Sequence, residues 1–130
     1  MANVEELEKI CKTIMELDPK MRSARIINNR GHLVAGGMKE GFQALEEAKQ
    51  DEMMFMELAL RVRMRHEFDN ELGKVHFSMS YRDKVIIMSF PLANDDVLLT
   101  SGAKDLEFGK IPFQILELIK DLRNSESKTF

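Results

Sequence analysis

Residues 73–100, GKVHFSMSYRDKVIIMSFPLANDDVLLT, carry the pattern on which the fold turns. Val75, Phe77, Met79 and Tyr81 alternate with Lys74, His76, Ser78 and Ser80, the period of two that belongs to a strand with one buried face. Arg82-Asp83 reads as a turn into Val85-Ile86-Ile87-Met88-Ser89-Phe90. That continuous apolar run predicts a central strand covered on both faces. Asn94-Asp95 turns the chain again into a shorter buried strand, Asp96-Val97-Leu98-Leu99-Thr100. Connections this short join antiparallel neighbours, so the stretch predicts a three-strand meander.

On the C-terminal side, Ile111, Ile115, Leu118, Ile119 and Leu122 recur at helical spacing, with Pro112 in the first turn, where a missing N–H costs nothing. The segment 123–130 is polar and predicts a frayed tail. On the N-terminal side lies the longest predicted element, a helix from Ala44 to His66. Ala48, Phe55, Ala59 and Val62 make one apolar stripe, and Met53, Met56, Leu60 and Met64 make another. Together they exceed the arc of about 100° that one core contact needs, so the helix is expected to pack against its own sheet and against something else.

Before that helix, residues 23–28 and 32–36 are short β-prone runs joined by Asn29-Arg30-Gly31, a hairpin turn that places Gly31 at positive φ. Gly36-Gly37 and Gly41 mark a loop. Residues 3–17 form a first helix on Val4, Leu7, Ile10, Cys11, Ile14 and Leu17, opened by Asn3 with Glu6 as a capping box and stopped by Asp18-Pro19. The order α-β-β-α-β-β-β-α, with short turns inside each strand group, predicts an α/β three-layer sandwich: a five-stranded antiparallel sheet with helices on both faces. One domain over residues 1–122 is expected.

Composition narrows the function. A 130-residue chain with 44% hydrophobic residues can bury a core without disulfides or metals. Its net charge of −3 lacks the basic excess of a general nucleic-acid binder. Neither a signal-peptide pattern nor an apolar run of about 18 residues occurs, so no membrane insertion is expected and the cytoplasm is the natural compartment. Ten methionines are the unusual feature, Met being over-used on surfaces that adapt to partners.

The hairpin Ala24-Arg25-Ile26-Ile27-Asn28-Asn29-Arg30-Gly31-His32-Leu33-Val34, the N-terminal helix ending in Asp18-Pro19, and the meander with its closing helix together resemble the roadblock / dynein light-chain family of the profilin-like and longin-like group. The resemblance implies a homodimer in which the long central helices pack together while edge strands join the two sheets. It also implies a non-catalytic scaffold or small-GTPase regulator in signalling, with no cofactor. The candidate dimer surface is Met53, Met56, Leu60 and Met64, with Val75 and Phe77 at the sheet. Arg61, Arg65 and His76 are candidates for contact with a protein partner. The layout is shared with PAS and GAF sensors, so a small ligand held between sheet and helix, near His76 and Ser78, is the alternative.

Enzyme chemistry finds little support. His32, His66 and His76 are dispersed, and Cys11 has no CxxC partner and sits on an apolar stripe. His76 and Ser78 share a strand face without a nucleophile-elbow sequence. Gly36-Gly37-Met38-Lys39-Glu40-Gly41 lacks the Gly-Lys-Ser/Thr ending of a P-loop and reads as a connector. The pairs Glu46-Glu47, Asp51-Glu52 and Asp95-Asp96 sit where helix starts and turns favour acids, so no catalytic, cofactor or metal residue is singled out.

Overall fold

In a computed structural model, which describes residues 3–124, the side-chain oxygen of Asn3 takes the backbone N–H of Glu6 and opens helix α1, Val4–Met15. Strands β1 (Met21–Ile27) and β2 (Leu33–Met38) pair antiparallel across the expected turn, with Gly31 at φ +82°. Helix α2 spans Ala48–Arg65, then a single 3₁₀ turn at His66–Phe68 and the short α3, Asp69–Leu72. The meander follows as β3 (Ser78–Tyr81), β4 (Ile86–Pro91) and β5 (Val97–Gly102), and the chain closes with α4 (Ile111–Leu118) and α5 (Lys120–Asn124).

The sheet order is β2-β1-β5-β4-β3, and every neighbouring pair is antiparallel. The middle strand is β5, flanked by β1 and β4, and the apolar run of β4 is an interior strand as expected, paired on both edges. Both strands are buried on two faces, and hydrophobicity alone does not rank them. One face carries Ala24, Ile26, Met88, Phe90 and Leu98 beneath Leu7, Cys11 and Ile14 of α1 and Ile111 and Ile115 of α4. The other carries Ile27, Val97 and Leu99 beneath Phe55, Leu58 and Val62 of α2. This is the three-layer α/β sandwich, with one thick core and one thin one.

Several boundaries move for identifiable reasons. Helix α2 begins at Ala48 and not Ala44, because Glu47 and Gln50 form its capping box and the preceding residues are tied to the sheet, with Arg22 Nη2 donating to the Gln43 carbonyl at 2.9 Å. Strand β3 begins at Ser78 and not Val75. Phe77 leaves the strand path to pack on Phe90 and Phe113, with ring centroids 5.8 and 5.6 Å apart. Gly36-Gly37, expected in a loop, lies inside β2. The closing helix is interrupted at Ile119, and Arg123, expected in the frayed tail, belongs to α5 and donates to Nδ1 of His76. Residues 125–130 of that tail lie outside the described residues.

Candidate functional site

Three features gather along α2. The first is its outer surface. Phe55, Leu58, Ala59 and Val62 are buried, whereas Met53, Met56, Leu60 and Met64 are 70, 64, 53 and 64% exposed. Four large apolar side chains in one row at i, i+3, i+7 and i+11 form a contiguous surface and not scattered exposure. Beside the row, α2 stands away from the outer half of the sheet and leaves an open groove of about 1040 Å³. Met53, Glu57, Arg61 and Arg65 form its wall, and Ser78, Ser80, Ile87 and Ser89 its floor.

The second feature pins the N-terminal end of α2. Arg25 projects from β1 toward α2 and is only 6% exposed. Its guanidinium meets Glu46 at 3.4 Å and Asp51 at 3.2 Å and lies 5.1 Å from the centre of the Phe55 ring. The two carboxyls crowd one another. Burial, with the hydrogen bond to Glu46, pushes Asp51 up to about 6, while that same hydrogen bond holds Glu46 below its ordinary value. The pair thus retains a proton at Asp51 into mildly acidic solution.

The third feature pins the other end. His66, at the C-cap of α2, is held between Asp69 at Nδ1 and Asp95 at Nε2, each at 2.7 Å, and both contacts raise its pKa. Asp95 follows Asn94 in the β4–β5 turn, both at positive φ, as short polar side chains tolerate. Next to it Asp96, 1% exposed, accepts from the Asn29 backbone N–H at 3.0 Å. Burial pushes Asp96 up to about 6.

A pH dependence follows. For Asp51, Asp96 and His66 the folded pKa lies above the unfolded one, so the protonated form fits the fold better. The resulting stability is complete below the unfolded pKa values and is lost as pH rises through about 6 for the carboxyls and through the raised value of His66. Glu46 acts oppositely, its contribution failing only in more acidic solution. Thermal unfolding is therefore expected at higher temperature near pH 5.5 than at about pH 8. Asp96→Asn should stabilise at both pH values, and by about 1 kcal/mol, roughly 3 °C, more at the higher than at the lower. Equal melting shifts for the variant at both pH values would contradict the burial argument.

The candidate residues divide. Met53, Met56, Leu60, Met64, Arg61 and Arg65 share α2. Val75 is partly buried in the segment before β3. Phe77 packs into the core on the α1/α4 side, away from the α2 surface, which corrects its assignment to that surface. His76 faces Arg123 while Ser78 lines the groove, so the strand-face pair is separated. Cys11 is buried, and burial, with the Glu8 charge, pushes its thiol up to about 12. Lys39 spends its ammonium on the carbonyls of Asp18 and Pro19, and α2 starts well after Gly41, so the glycine-rich segment forms no phosphate cradle. The Arg25 cluster and the His66 clamp were missed. Arg25 sharing a strand face with Ile27 was the available signal for the first: an inward arginine requires acids.

Among the described residues no group of His, Cys, Asp and Glu could hold a metal ion, and no helix is long and apolar enough to cross a membrane. The model of a family described as a family of unknown function, DUF6659, matches residues 1–126. The chain belongs to that family. No curated protein sequence matches it.

Solved structures are similar to this DUF6659 chain across nearly their whole length. A Roadblock/LC7 domain from Streptomyces avermitilis superposes with a TM-score of 0.68 at 10% identity, covering 89% of this chain and 93% of its own. Myxococcus xanthus MglB gives 0.73 at 10% identity, covering 94% and 95%. An MglB with a tetrameric arrangement gives 0.75 at 10% identity, covering 95% and 90%. At such identity the likeness is one of fold, and the fold is roadblock-like.

Proposed function

We infer that this chain is a non-catalytic, cytoplasmic adaptor: one roadblock-like domain over residues 1–122 that pairs with its own copy through α2 and presents the pair to a protein partner. The observation that carries this reading is the exposed row Met53, Met56, Leu60 and Met64 on the helix that lies over the middle of the sheet. Each such side chain contributes about 1.5–3 kcal/mol when buried, so two copies of the row supply enough to offset the ordering costs of association. The open groove of about 1040 Å³ beside the row leaves that side of α2 accessible. An MglB of similar fold has a tetrameric arrangement, which supports reading this fold as one that self-associates. The partner class is the one the roadblock resemblance implies, a small GTPase, with Arg61, Arg65 and His76 as contact candidates.

The sensor alternative has less to stand on. The enclosed recess between α2 and the sheet, lined by Arg22, Arg25, Leu45 and Met54, offers about 40 Å³, room for a water molecule, and the groove of about 1040 Å³ beside it lies open to solvent, whereas a ligand pocket encloses most of its ligand.

Light scattering after size exclusion tests the reading. The wild type is expected near twice the chain mass of 15.0 kDa. Leu60→Glu is expected to elute as a folded monomer, its dimer weakened at least about a hundredfold by a carboxylate forced into an apolar contact. A wild-type monomer at micromolar concentration sinks the reading.

A further inference from the structure

The chain has eight phenylalanines and one tyrosine, and five of these nine aromatics gather near β3: Phe77, Tyr81, Phe90, Phe108 and Phe113. Residues paired across antiparallel strands share a face. Met79, opposite Met88, and Tyr81, opposite Ile86, therefore point to the α1/α4 side of the sheet, away from α2. Tyr81 meets the Phe108 ring edge-on with centroids 6.2 Å apart, and Phe113 of α4 meets Phe77 edge-on at 5.6 Å. Yet Tyr81, Phe108 and Phe113 are 59, 47 and 59% exposed, and Met79 is 40% exposed. An aromatic strip thus lies open along the outer part of this face.

The rings of the strip are held in place. Buried Leu106 anchors the loop that carries Phe108, filling the space over Gly102, where a Cβ would stand 2.8 Å from its side chain. Phe113 projects from a helix fixed in the core by Ile111 and Ile115. Aromatic rings fixed beforehand bury a large area at little ordering cost, which is why they concentrate in contact surfaces.

Cations gather at one end. Lys104 places its ammonium 5.3 Å from the centre of the Tyr81 ring, and the turn after Tyr81 adds Arg82 and Lys84. Among the described residues none of the three has an ion-pair partner, and Asp83 is the one acid in that turn. Asp105 and Glu107 of the neighbouring loop are answered by Lys20 at 2.8 Å and Lys110 at 4.0 Å.

We propose that this strip docks a short acidic segment of a partner protein, its large apolar side chains seated on Tyr81, Phe108 and Phe113 and its carboxylates beside Lys104, Arg82 and Lys84. An anionic membrane surface fits less well, because Asp105 and Glu107, both exposed in the loop of Phe108, would be pressed into its headgroups. The site goes beyond the adaptor reading and does not rest on pairing through α2, since the strip and α2 lie on opposite faces of the sheet.

Selection of short random peptides displayed on phage, with the wild-type protein as bait, tests it. The enriched sequences are expected to combine Asp or Glu with Leu, Phe or Trp. Synthesised and labelled, they should bind Tyr81→Ser/Phe108→Ser at least about tenfold more weakly, and Lys104→Glu about fivefold more weakly, by fluorescence anisotropy. All three positions are exposed, so the fold should survive, which thermal melting verifies. Raising salt from about 0.05 to 0.5 M should also weaken binding. Leu60→Glu should bind as the wild type does, so a monomeric protein that still binds overturns the dimer reading and leaves the strip intact. No enrichment overturns the proposal, as do enriched peptides that Leu60→Glu loses and Tyr81→Ser/Phe108→Ser keeps. Sedimentation of the protein with phosphatidylserine vesicles, abolished by the same double variant, would overturn it too, by making the strip a membrane contact.

Discussion

Arg25→Leu is expected to destabilise the protein by about 3–5 kcal/mol near neutral pH, the usual consequence of removing one partner from a buried charge cluster. Arg25 sits on β1 opposite Leu99 and Gly36, with its side chain enclosed between the sheet and the start of α2. Glu46 and Asp51 remain largely covered when it is gone, with side chains 28 and 22% exposed. Their mutual repulsion then has no cation to answer it, and the cluster already carries buried polar atoms without partners, Arg25 Nε and Asp51 Oδ1. Leucine also forfeits the cation–π contact with Phe55.

Urea unfolding measures the loss, and two further features identify its cause. The deficit should shrink as the pH is lowered and the carboxyls take up protons. The double variant Arg25→Leu/Asp51→Leu should recover more than half of it, because fewer buried charges remain unpaired. A deficit independent of pH and not repaired by the second change would mean that Arg25 acts by packing alone. Helix α2 carries the exposed methionine row, so loosening its N-terminal end is also expected to weaken self-association.

The residues that make the clamps explain what sequence could and could not disclose. Periodicity is local, and it revealed the alternating and continuous apolar runs of β3 and β4, the hairpin around Gly31, and the two stripes of α2. The exposed stripe was visible because a helix in one core needs only one apolar arc, and α2 has two. Arg25, Glu46 and Asp51 come from a strand, a loop and a helix, and His66 meets Asp95 across 29 positions. No spacing rule joins such residues, and only the sheet order that sets β1 beside β5 brings those segments together. Phe77 shows the opposite failure. Its period-two pattern was genuine, but β3 shortens at the sheet edge and the ring follows Phe90 and Phe113 into the core on the α1/α4 side. Local patterning could not see that contact.

Gly36→Ala is the second large effect, expected at about 3 kcal/mol or more, and it arises from the pair of glycines that sequence places in a loop. Gly36 is a strand residue with φ at +85°, where an L side chain is strained wherever it points. Here it also has nowhere to go. A Cβ would stand 2.1 Å from the Ala24 carbonyl oxygen of the neighbouring strand and 2.9 Å from the Cys11 sulfur of α1. The first contact is backbone against backbone and cannot be relieved by a rotamer. The residue's N–H is engaged too, donating to Glu8 of α1 at 2.8 Å, so shifting β2 to make room would break the bond that ties it to the helix. Gly37→Ala is the matched control, since its φ is not positive and a Cβ there would meet nothing within 4 Å. It should change stability by no more than about 0.5 kcal/mol. Urea midpoints of the two variants against wild type decide the matter. A large loss at residue 36 with little at residue 37 locates the strain in the passage of β2 beneath α1. Equal effects at both positions would mean that the strand accommodates a side chain there and that the close approach does not constrain the fold.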